Sequence, residues 1–139
     1  MSQPRRTKFG THVTYVGKLP RDVRFFATDT GNEPTRDWLK GLSKEERAII
    51  GEDLLTVQKL EIWKEPLVKN LGDGLWEVRS TLAKGEARVI FSTSGGEMII
   101  LNGFIKKSQK TPADQLDLAL DRKRTYDRNR KSTQRKQSK

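Results

Sequence analysis

The chain has 139 residues, with 28 Lys/Arg against 18 Asp/Glu and no cysteine. That length holds one domain with a modest core, and the cysteine count excludes a disulfide framework and a thiolate metal site. No apolar run approaches the roughly 18–20 residues that span a bilayer, and no apolar segment follows the basic N-terminus as in a secretory signal, so the cytoplasm is the expected compartment.

The net charge of +10 points to an anionic partner, nucleic acid first. Its distribution says more than its sum. Residues 1–24 carry six bases and one acid, and residues 121–139 carry nine bases and two acids. Between them, residues 25–78 hold seven bases and eleven acids, whereas residues 79–110 hold six bases and two acids. A basic island therefore sits beside an acidic half, which a merely solubilised surface with mixed signs does not predict. The competing reading is that the charged ends only keep the protein soluble.

In chain order, residues 1–20 read as a basic, flexible extension, with weak alternation around Val13 and Tyr15. His12 is the sole histidine; it cannot form a multi-histidine metal site and has no sequence-local acid or nucleophile, so it reads as a bystander. Asp22–Thr28 is a short strand candidate, closed by a turn at Gly31. Pro34 suits a first helical position, and a helix follows from about Glu33 to Lys40, ended by Gly41. Ser43 with Glu46 forms a capping box. The second helix then carries Ile49, Ile50, Leu54, Val57 and Leu60 as an apolar stripe. Gly51 within it costs about 1 kcal/mol relative to alanine, which would fit a close contact. Lys69–Gly74 reads as a glycine-punctuated loop.

Leu75–Lys110, LWEVRSTLAKGEARVIFSTSGGEMIILNGFIKKSQK, reads as three antiparallel strands delivering Arg79, Arg88, and Lys106 with Lys107. A two-residue turn at Lys84-Gly85 puts Arg79 opposite Ile90 and makes Arg79 and Arg88 diagonal neighbours on one face. That placement suits two guanidinium forks on one phosphate. At the second turn parity decides which lysine joins them: three loop residues, Ser94-Gly95-Gly96, bring Lys106 to that face, and two glycines alone bring Lys107. The bland alternative is the solvated outer face of a half-buried sheet. Thr111 reads as the N-cap of a last helix with Pro112 at its first position, Leu116, Ala119 and Leu120 on its buried side, and fraying from Asp121 into a basic disordered tail over residues 125–139.

The segments Gly31–Pro34 through Trp38-Leu39, Lys44–Asp53, Gly74–Ser80, Ala87–Phe91, and Gly103–Lys107 followed by Gln109–Pro112 occur in the order of a known family. Over Val23–Arg124 the chain resembles the HigB-like, phage-derived branch of the RelE/ParE toxin superfamily. No single segment is decisive; five in order across one domain are fairly specific. The resemblance implies an α+β, RelE-like fold over residues 21–124: strand, two helices, three-strand antiparallel meander and C-terminal helix, with the helices on one face of a curved sheet. It also implies an mRNA interferase that cleaves translated mRNA on the ribosome, neutralised by a small helix-turn-helix antitoxin, with no cofactor, no metal and no membrane partner.

The family's basic residues map to Arg79, Arg88 and Lys107, or Lys106 in the other register. Its second basic position on the first strand falls at Thr81 and its tyrosine position near Ala113, so neither group is present and the resemblance assigns no general base. The chemistry requires a base for the 2′-OH proton, cations for the phosphorane charge and an acid for the leaving oxygen. Arginine does not serve as base near neutrality; Lys106 or Lys107, crowded by like charge, can. Glu77 shares the Arg79 face as orienter or base. Lys69, Lys84 and Lys110 are outer phosphate contacts, and Phe104 or Trp76 either stacks a base or belongs to the core. Two further readings stay open: a ParE-type toxin that inhibits DNA gyrase by binding, and a basic nucleic-acid-binding domain without catalysis.

Overall fold

A computed structural model describes residues 19–106 and 111–137, the side chains only as far as Lys131. Along the chain run β1 (Val23–Phe25), α1 (Pro34–Lys40), α2 (Lys44–Lys59), β2 (Val68–Gly72), β3 (Leu75–Leu82), β4 (Gly85–Ser94), β5 (Glu97–Lys106) and α3 (Ala113–Gln137). The five strands form one sheet in the order β1-β5-β4-β3-β2, parallel only at β1–β5. The expected extension over residues 1–20 and its weak strand fall, but for Leu19 and Pro20, outside the described residues, as do Lys107 and Lys110.

The helix starts follow their local chemistry. Pro34 occupies the first turn of α1, and the Ser43–Glu46 capping box closes reciprocally at 3.0 and 3.1 Å. Ile50, Leu54 and Val57 are the buried stripe of α2; Ile49 and Leu60, expected with them, are exposed. Gly51 meets no neighbour. The close helix–sheet approach is instead at Gly103, where a Cβ would overlap the Trp38 ring that α1 lays on β5.

Three expectations change. The Lys69–Gly74 loop is in fact β2 and its turn: Val68, Lys69 and Asn70 pair with Val78, Glu77 and Trp76 before a bulge, so the meander has four strands. The bulge at Leu71 breaks the two-residue alternation, which hides the strand from periodicity. Second, the helices cover both faces. α1 and α2 pack on the side of Val78, Val89, Phe91, Met98 and Ile100. α3 lies on the other, where Ala119 and Leu116 meet Leu75, Ile90, Ile99 and Leu101. The central strands are apolar on both sides, with Val89-Ile90-Phe91 and Met98–Leu101 all buried, and each side needs cover. Third, α3 does not fray at Asp121 but continues to Gln137. A Cβ on Gly74 would meet Lys123 and one on Gly95 would meet Arg130, so the helix tracks toward the end of the sheet that holds the β2–β3 and β4–β5 turns. Arg122 Nη1 donates to the Leu101 carbonyl at 2.8 Å, and its guanidinium lies over Phe26. No helix among the described residues is long and apolar enough to cross a membrane.

Candidate functional site

Two turns and one bulge set the register of the central strands. The β3–β4 turn is Ala83-Lys84, not Lys84-Gly85; Gly85, at φ +151°, is already in β4 and pairs with Leu82. Arg79 therefore sits directly opposite Arg88 instead of diagonally, on the same face. The β4–β5 turn is the two-glycine version, Gly95-Gly96, both at positive φ. By turn length alone Lys106 would then face away. The structure inserts one extra residue, Leu101, at a bulge where Phe91 pairs with Ile100 and Ile90 with Asn102. This restores parity, and Lys106 pairs with Glu86 beside Arg88.

The result is a polar cluster near the β3–β4 turn, on the α3 side of the sheet. At its centre is Glu77, fully buried. Its Oε1 accepts from Arg88 Nη1 at 2.7 Å and from Arg79 Nε at 3.2 Å, and its Oε2 accepts from the Thr111 hydroxyl at 2.8 Å. The group held between the two guanidiniums is thus a carboxylate of the protein itself. Arg88, 3% exposed, also gives Nε to Glu86 Oε1 at 2.6 Å and an Nη2 contact to the same oxygen. Arg79 is more open at 19%, with the exposed Glu65 carboxylate at 3.8 Å on its outer edge. The Thr111 hydroxyl donates to Glu77, and the carbonyl of Pro112 accepts the first helical amides of α3.

Lys106 is the unusual member. Its side chain is buried at 5% exposure, and its Nζ has no hydrogen-bond partner among the described residues. Burial, and then the adjacent Arg88 charge, lowers its pKa from the ordinary lysine value, with Glu77 and Glu86 opposing. Lowering in that direction makes the amine easier to hold neutral, which is what a proton acceptor requires. Glu77 suits the orienting role better than the basic one, because both of its oxygens are already engaged.

Of the other expected residues, Lys69 faces Glu77 across β2–β3 and flanks the cluster, and Lys84 is exposed in the β3–β4 turn. Trp76 belongs to the opposite face, where it packs edge-on against Trp63 at 4.9 Å; strand alternation sends it away from Glu77 and Arg79. Phe104, although opposite Arg88, is buried in the cluster under α3 and offers no open ring for stacking. Sequence reasoning missed Glu86 and Thr111. Glu86 carries a readable signal, lying two residues before Arg88 on the same strand; Thr111 carries none, since its role depends on where α3 lands.

Among known protein families, the model described as phage derived protein Gp49-like (DUF891) matches residues 37–124, more than half of the chain. No curated protein matches.

Proposed function

The chain belongs to the phage-derived Gp49-like family, a toxin-like family of the RelE/HigB type, and on that premise we propose that it is the toxin of a type II toxin–antitoxin pair, an mRNA interferase acting on translated mRNA. The observation that carries this reading is the Lys106 amine, buried and without a hydrogen-bond partner among the described residues, beside Arg79 and Arg88 on one face of the sheet. A desolvated amine beside two guanidiniums suits acid–base work better than phosphate binding, which a solvated lysine does as well.

In the proposed reaction the neutral Lys106 amine takes the 2′-OH proton, and the freed 2′-oxygen attacks the neighbouring phosphorus. The bond to the 5′-oxygen breaks, leaving a 2′,3′-cyclic phosphate and a 5′-hydroxyl, whose proton comes from solvent or the ammonium just formed. Arg79 and Arg88 supply charge to the phosphorane oxygens. Glu77 and Thr111 hold those arginines in place, a positioning role. Lys69 and Lys84 contact flanking phosphates. The partners in this reading are the ribosome with its mRNA and a cognate antitoxin of the small helix-turn-helix repressor type.

The test is expression from a tight promoter with mapping of mRNA 5′ ends, for the wild type and for Lys106→Met. Codon-phased cuts confined to translated regions, lost in the variant, are the expected result. Unchanged cutting by Lys106→Met overturns the role of the amine, and intact mRNA with DNA damage favours gyrase inhibition over the interferase reading. Lys106 is a cleaner target than Arg88, whose removal takes the shorter of two ion pairs from the buried Glu77 carboxylate.

A further inference from the structure

Arg88 has no guanidinium nitrogen to spare. Nη1 is taken by Glu77 and faces the Thr111 hydroxyl at 3.5 Å, while Nε and Nη2 both serve Oε1 of Glu86. The two carboxylates differ in freedom. Glu77 is fully buried under Thr111, whereas the Glu86 side chain is 36% exposed and sits two residues past the β3–β4 turn. Only Glu86 has room to leave. The Nε/Nη2 edge it covers is the one a phosphate would use for a two-point bond to an arginine.

We propose that Glu86 is a specificity-determining residue that occupies the phosphate seat on Arg88, so that an RNA phosphodiester enters only by displacing it. This rests on the interferase reading and adds to it. One anion replaces another of the same unit charge, so a ligand gains at Arg88 only the difference between two charge-assisted pairs. A short free RNA, with few other contacts, gains little from the exchange. A strand held at several phosphates at once can drive it, because its remaining contacts lower the cost of each further one. Glu86 thereby selects substrate presented in place over loose single strands.

The experiment measures binding of a 2′-O-methyl trinucleotide, which cannot be cut, to the full chain across a salt series. Glu86→Ala and Glu86→Gln are compared with wild type. Glu52→Gln, an exposed carboxylate on α2 across the sheet, controls for the change in net charge. The expected result is binding about tenfold tighter in Glu86→Ala, the size of one charge-assisted bond, with a smaller gain in Glu86→Gln. Its log K against log salt slope should steepen by about 0.7, the value for one added phosphate contact on a single strand, while Glu52→Gln matches wild type. Equal binding by wild type and both Glu86 variants, or an equal gain in Glu52→Gln, overturns the assignment of Glu86 and leaves the phosphate site standing. Absence of binding in all four proteins overturns the phosphate site itself. Circular dichroism confirms that each variant is folded before it is scored.

Discussion

Glu77→Gln is the substitution that probes the site's architecture most directly. The side chain is fully buried and accepts three hydrogen bonds, two of them from arginines. Glutamine preserves the shape. Its carbonyl oxygen can still face Arg79 and Arg88, and its amide can donate to Thr111 once that hydroxyl turns. What is lost is charge. A hydrogen bond to a charged group is worth about 1.5–3 kcal/mol against about 1 for a neutral pair; the arginines keep their own charge, so weakening two removes at most about 1–4 kcal/mol. Arg88, 3% exposed, is then left with Glu86 alone to balance it. Removing one partner of a buried pair outright costs about 3–5 kcal/mol, which sets the upper bound. The expected loss is about 3 kcal/mol, or about 10 °C in Tm for a chain of this size. Urea unfolding read by tryptophan fluorescence measures it, since Trp63 and Trp76 are in contact within the core. Adding Arg88→Met to Glu77→Gln should recover about 1 kcal/mol or more by removing a buried cation that keeps Glu86 as its remaining counter-charge. A loss below about 1 kcal/mol, with no coupling to Arg88, would refute the view that Glu77 anchors the cluster.

Two further outcomes follow from burial and close contact. Lys106→Met should be at least as stable as wild type near pH 7. Burial and Arg88 hold the folded pKa below the ordinary 10.5, so between the two values the unfolded chain binds more protons and wild-type stability rises with pH. Below that window the protonated amine carries its full desolvation penalty, which methionine removes. Urea melts from about pH 7 to pH 10 should show the advantage of Lys106→Met shrinking as pH rises; a variant less stable at pH 7 contradicts the reasoning. For the glycines the structure predicts opposite signs. Gly103→Ala should destabilise by about 1–3 kcal/mol, because the new Cβ would overlap the Trp38 ring and press on Thr35. Gly51→Ala, with no neighbour within 4 Å, should stabilise the helix by up to about 1 kcal/mol in the same assay.

Arg79, Arg88 and Glu77 shared a face in the sequence because a two-residue period survives any even error in register. Misplacing the β3–β4 turn by one position moved the pairing by two, from diagonal to opposite, and left the face unchanged. Lys106 against Lys107 was a question of odd parity, and there turn length misleads. The two-glycine turn alone points Lys106 away, and Leu101 reverses the result by entering a bulge. Nothing local marks Met98–Leu101 as the place for an extra residue. Leu101 goes there because its side chain fills the α3-side core with Ile90 and Ala119 while its carbonyl accepts Arg122 from that helix, and both contacts are remote in sequence. The same helix decides that Phe104 is covered and that Thr111 reaches Glu77. What was legible was thus set by strand periodicity within Leu75–Lys106, and what was not depended on α3 packing across the sheet. That dependence has a functional consequence. The segment that orients Lys106 and the segment that seals Arg88 are both fixed by α3, so an agent that lifts α3 from the sheet would expose the Arg88–Glu77 pair to water and loosen the Lys106 register in one step.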